Sequence, residues 1–172
     1  SDDVAFLFVA HNLHLKNLPL LRRVFERLAH PRAKLVVVGK RRPRWSAPWL
    51  VYAGEATDMV AIYGAGDALL HPTWFDSCAN VVLEAMACAR PVLVSDTSGI
   101  HELLPPEDVL TVRGVPGEVE EAWVQSVGAL ADQPDLREIR GKAGLALAAG
   151  RGFGRYLDWF SDYLTRIREA KG

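Results

Sequence analysis

Short, nearly continuous apolar runs alternate along this chain with stretches of helical spacing. VAFLFVA (4–10), AKLVVVGK (33–40), WLVYAG (49–54), DALLHPT (67–73), PVLVSD (91–96) and DVLTVRG (108–114) read as strands. Such runs suit strands whose two faces are both covered. Between them, residues 18–30 place Leu18, Leu21, Val24, Phe25 and Leu28 at helical spacing. Residues 57–66 predict a short helix with Thr57 or Asp58 as cap and a glycine near its end. A helix is expected to start at Asp76 and Ser77, a turn or two at 99–104, and three further helices at about 117–131, 134–149 and 153–170. Strands separated by helices specify an α/β domain with a parallel sheet. The expected fold is a doubly wound, Rossmann-like six-stranded sheet flanked by helices, in the order 3-2-1-4-5-6. In that order the first and fourth strands are neighbours at the reversal. The segments after them, HNLHLKN (11–17) and HPTWFDSCAN (71–80), should then face each other where such sheets bind ligands.

One helix breaks the pattern. ANVVLEAMACA (79–89) is apolar almost all round and should be buried, yet Glu84 sits in its middle. Two readings of Glu84 stand: a carboxylate reaching for a ligand, or one arm of a structural ion pair with an arginine.

The 172 residues are enough for one domain with a real core, and 49% hydrophobic against 24% charged residues places the chain among globular proteins. A net charge of −1 argues against nucleic acid as a partner. The basic run KRRPRW (40–45) is local and reads as an exposed loop. Cys78 and Cys88, placed on one predicted helix, would lie about 15 Å apart and cannot pair, which favours a reducing, cytoplasmic setting. The absence of a long apolar run argues against a membrane span. The chain opens directly into its first strand, as an excised domain would.

Ser77, Cys78, Ala79 and Asn80 would offer free backbone N–H groups at a helix start, a natural phosphate site. The first loop adds Lys16, with His11 and Asn12 close by. Glu84, on the helix face that carries Ser77 and Asn80, suits the vicinal hydroxyls of a ribose. Asp76 at the helix mouth could accept hydroxyl hydrogen bonds from whatever hangs off a diphosphate, or serve only as a helix cap. Together these groups describe a cradle for a nucleotide sugar.

HPTWFDSCANVVLEAMACARPVLVSDTSGIHEL (71–103) resembles the signature of the family-4 retaining glycosyltransferases, which have two Rossmann-like domains in the GT-B architecture. The matching features are an acid, seven residues and a glutamate (Asp76 and Glu84), then Gly99 and Glu102. FLFVAHNLHLKNLPLL (6–21) and YAGEATDMVAIYGAGDALLHPT (52–73) resemble two further family segments, with Lys16 at the position of the diphosphate lysine. The resemblance implies that residues 1–172 form the C-terminal donor-binding domain and that the N-terminal acceptor domain is absent. It implies catalytic roles for Asp76 and Lys16, with Asp76 on the donor sugar. It places Glu84 on the ribose, and His11, Asn12 and the 77–80 stretch on the donor. It implies transfer with retention, no cofactor and no metal, since lysine and helix dipole stabilise the leaving diphosphate. A role in lipopolysaccharide or other surface glycan synthesis is expected, with hexosyl transfer, an inactive isolated fragment and peripheral membrane association of the full enzyme. Four positions depart from the family pattern: Asp76 replaces the usual glutamate, His11 the usual arginine, and Ala10 and Arg90 the usual glycines.

Two other readings stand beside it. A non-catalytic binding module or degenerate paralogue fits those departures. A dinucleotide-binding oxidoreductase requires G-x-G-x-x-G after the first strand, and VAHNLHLKN contains no glycine.

Overall fold

The computed structural model describes residues 2–77 and 79–149. The predicted last helix (153–170) and Cys78 lie outside the described residues.

The strands are β1 (Val4–Val9), β2 (Ala33–Val38), β3 (Leu50–Gly54), β4 (Ala68–His71), β5 (Val92–Ser95) and β6 (Val109–Leu110). They form one parallel sheet in the order β3-β2-β1-β4-β5-β6. The helices are α1 (Leu18–Leu28), α2 (Met59–Ala65), α3 (Asn80–Ala87), α4 (Pro116–Asp132) and α5 (Pro134–Ala149), with 3-10 turns at Gly99–Leu103 and Pro106–Asp108. Sheet order and parallel pairing match the expectation, so the first and fourth strands meet at the reversal.

Strand side chains alternate between two cores, as a pleated strand requires. Val4, Phe6 and Phe8 of β1, Leu70 of β4 and Leu93 of β5 join α1 and α4 around the fully buried Trp123. Leu7, Leu69, Val92 and Val94 point the other way, onto Tyr63 of α2 and Val82, Ala85 and Met86 of α3. Trp123 is buried with its indole N–H donating to the Thr111 carbonyl at 3.0 Å.

Two boundaries and one burial expectation differ from the sequence reading. β6 is two residues long, not seven, because the chain turns at Thr111. There the hydroxyl donates to the Arg113 carbonyl at 2.9 Å and accepts from the Arg113 N–H at 3.1 Å, replacing ladder bonds. The Glu84 helix starts at Asn80, not at Asp76 and Ser77. Asp76 instead makes a parallel bridge with Ser98, and its carbonyl accepts the Gly99 N–H at 2.7 Å. Nor is α3 buried all round: Val82, Ala85 and Met86 are buried, whereas Glu84 is exposed. The helix also begins beyond Cys78 and Cys88 is its C-cap, so the shared-helix argument about the two thiols loses its premise.

Candidate functional site

The ends of β1, β4 and β5 are tied into one platform. The segment after β4 is pinned to the loop after β1: the Trp74 N–H donates to the Leu15 carbonyl at 3.0 Å, and the Thr73 hydroxyl lies 3.3 Å from the same carbonyl oxygen. From the β5 side, the hydroxyls of Ser95 and Thr97 both donate to the Thr73 carbonyl, at 2.8 and 2.6 Å. Gly99 completes the clamp. A Cβ there would sit 2.3 Å from the Ser77 carbonyl oxygen, so only glycine permits this approach.

On that platform Lys16 and Asp76, sixty residues apart, form an ion pair through Nζ and Oδ2. The same carboxylate oxygen lies 3.1 Å from Nε2 of His71, the last residue of β4. A carboxylate only accepts, so Nε2 carries the proton and His71 donates to Asp76. His71 is 2% exposed. Burial first, and the nearby Lys16 ammonium second, push its pKa down to about 4, against the upward pull of Asp76. The imidazole is therefore neutral near pH 7.

The second acid sits elsewhere. Glu84 is one turn into α3, on the same face as the exposed Asn80. It lines a cleft of about 280 Å³ with Ala10, His11, Gly39, Glu55 and Met59. Its partner is not an arginine: the Tyr63 hydroxyl donates to Oε2 at 2.8 Å. Burial, then the adjacent Glu84, raise the Tyr63 pKa well above that of an ordinary phenol, so it stays a neutral donor. Gly39 closes the floor of the cleft, where a Cβ would sit 2.0 Å from the Ala10 carbonyl oxygen at a φ of +148°.

The remaining predicted residues fall around these two centres. His11 is exposed and lines the Glu84 cleft. The Asn12 side chain accepts the Leu15 N–H at 3.0 Å, which shapes the loop after β1. Asn12 also borders a groove of about 320 Å³ with His14, Trp45 and the exposed Arg41, Arg42 and Arg44. Ser77 is exposed and precedes the helix rather than opening it; Ala79 is the buried N-cap, with no side-chain cap bond. The first helical amides are thus those from Asn80 onward.

Sequence reasoning gave no role to Tyr63 or the close approaches at Gly39 and Gly99. The signal for Tyr63 was its i,i+4 spacing from Met59, which puts both on the α2 face turned to the cleft and α3. Another hollow, lined by Asp67, Cys88, Arg90 and Arg137, lies at the opposite ends of the strands. Its Asp67 carboxylate accepts the Ala5 N–H, and Arg137 donates to α4 carbonyls, so these groups already serve the fold. Among the described residues, no three His, Cys, Asp or Glu side chains gather to hold a metal ion, and no helix is long and apolar enough to cross a membrane.

Comparison with known proteins fits this geometry. Among curated relatives, the sulfoquinovosyl transferase SQD2 of Arabidopsis thaliana is 30% identical over 139 residues, which is 74% of this chain and 26% of that protein. Among solved structures, WaaG, a glycosyltransferase involved in lipopolysaccharide biosynthesis, superposes with a TM-score of 0.70 at 21% identity over 87% of this chain and 43% of its own. Anabaena Alr3699/HepE, solved in complex with UDP and glucose, gives 0.76 at 14% identity over 96% of this chain and 49% of its own. The chain thus spans about a quarter of that curated relative and under half of each of those two structures. At those identities the structures speak for the fold, a Rossmann-like domain of GT-B type. Residues 3–133 match the family described as "Glycosyl transferases group 1", and the chain belongs to that family.

Proposed function

We propose that this chain is the nucleotide-sugar-binding half of a two-domain, retaining glycosyltransferase of family 4. The observation that carries the reading is the pair of acids at the switch point. Glu84 stands in a cleft, oriented by a neutral phenol, and Asp76 meets Lys16 on the adjoining platform. In this reading Glu84 takes the ribose hydroxyls and Asp76 the donor sugar. Lys16, the first amides of α3 and His11 hold the diphosphate and stabilise charge building on the leaving group. Coverage of under half of the WaaG and Alr3699/HepE chains supports a missing acceptor domain. The resemblance to WaaG, a glycosyltransferase involved in lipopolysaccharide biosynthesis, supports a surface glycan or lipopolysaccharide as the product of the whole enzyme.

Calorimetric titration of UDP-, GDP- and ADP-sugars into the chain tests the reading. Saturable binding of at least one is expected, and binding of none refutes it. The isolated chain should not transfer sugar to any acceptor; transfer above a buffer control would refute the half-enzyme assignment.

A further inference from the structure

The Oδ2 oxygen of Asp76 serves two donors of unlike freedom. Lys16 reaches it from a surface loop on a flexible four-carbon stem, and the two side chains are 21% and 17% exposed. His71 reaches it from the end of β4, where it is 2% exposed and fixed by the sheet. An ion pair open to water is weak and easily exchanged, whereas a buried neutral donor on a strand has nowhere else to go. A diphosphate arriving beside Lys16 offers more negative charge than one carboxylate. Asp76, relieved of its cation, keeps the imidazole N–H.

We propose that Asp76 changes partners when the donor binds: Lys16 leaves it for the diphosphate, and His71 is the positioning residue that keeps the carboxylate aimed at the donor sugar. The inference rests on the nucleotide-sugar reading above and adds two things to it. In the unliganded protein Asp76 competes with the diphosphate for Lys16. His71, which takes no part in phosphate binding, sets how well the sugar is distinguished from no sugar.

The test is titration of UDP and of UDP-glucose, at one fixed pH, into the wild-type chain and three variants, with thermal melts to establish folding. Asp76→Asn should bind UDP about two- to fivefold more tightly, the scale of a partly exposed ion pair removed. The same variant should lose whatever the glucose adds to affinity. His71→Gln, which can present an N–H near the same place, should keep the wild-type ratio of the two affinities. His71→Leu should weaken UDP-glucose about tenfold relative to UDP, the scale of a lost hydrogen bond to a charged group. A merely structural histidine would weaken both ligands together. Asp76→Asn binding UDP no better than wild type, or His71→Leu shifting both ligands equally, overturns the proposal and leaves the donor reading intact. The Asp76→Asn comparison holds even if His71→Leu fails to fold. If the wild-type chain binds neither ligand while another nucleotide sugar saturates it, the same four proteins are titrated with that sugar and its nucleoside diphosphate, and the same outcomes decide. If no nucleotide sugar binds, the donor reading falls and the partner exchange falls with it.

Discussion

The segment from residue 73 to 79 and helix α3 each carry one acid of the candidate site, and they hold it in opposite ways. Asp76 lies on backbone fixed by the Ser98 bridge and the Gly99 N–H, with a cation and an imidazole on one oxygen. Glu84 stands on the open face of a helix, where the uncharged Tyr63 hydroxyl donates to it. A cationic partner both orients an acid and competes with any anionic ligand for that cation. A phenol that stays protonated orients the acid and leaves its charge in place for a ligand. Seven residues of chain therefore separate an acid that must be released from one that is already presented.

The comparison can be broken most strongly at the support beneath Asp76. An unfolded histidine titrates near 6.5 and His71 near 4 in the folded chain, so as pH falls the unfolded state takes up the proton first. Stability contributed here is present above about pH 6.5 and lost on the way down to about pH 4, by about 3 kcal/mol. Asp108, whose burial raises its pKa to about 6, works in the opposite direction over part of that range. The difference between wild type and His71→Gln in denaturant melts against pH isolates the histidine. Parallel curves would show that His71 is not held neutral.

Next comes the clamp. Gly99→Ala must push the Ser77 carbonyl aside, and a loss of about 2 kcal/mol is expected from such overpacking. Nucleotide binding through Glu84 should survive in the folded fraction, since α3 does not depend on that contact. Chemical denaturation and titration of the same sample read the two effects separately.

Glu84→Ala should weaken UDP by about 1.5 kcal/mol, the scale of hydrogen bonds to a charged group. The loss should be smaller for 2′-deoxyUDP if the acid reads the ribose. Equal losses for the two nucleotides would return Glu84 to a structural role. The smallest effect is expected from Tyr63→Phe, which leaves the acid in place but unoriented. A loss of about 1 kcal/mol in UDP affinity, with the ribose preference reduced, would separate orientation from charge. No change would mean that Tyr63 serves only the core it fills.

Much of the fold was legible because it depends on local pattern and on general chirality. The six apolar runs locate the strands, helical spacing locates α1, α4 and α5, and Asp58 caps α2 as its residue type suggests, accepting the Ala61 N–H at 2.9 Å. The sheet order expected was the default doubly wound order for six strands alternating with helices, and the strands pair in that order. What was misread turned on partners far along the chain. A Ser/Thr/Asp-type start at Asp76 and Ser77 is a sound local signal, but the backbone there is claimed by Ser98 and Gly99. An apolar helix suggests burial, but α3 is short, and Val81 and Glu84 look into a cleft between strand ends.

By itself the sequence determined which residue types stand at the reversal of the sheet: Lys16 after the first strand, and Asp76 and Glu84 after the fourth. Only the tertiary structure decided how they are held. A side chain's hydrogen-bond partner is set by distance in space, and Lys16 to Asp76, Tyr63 to Glu84 and Gly99 to Asp76 are neighbours only once the strands have paired. Local propensity carries no information about which of two acids will meet a cation and which a phenol, because that choice is made by the packing of α2, β1 and β5 around them.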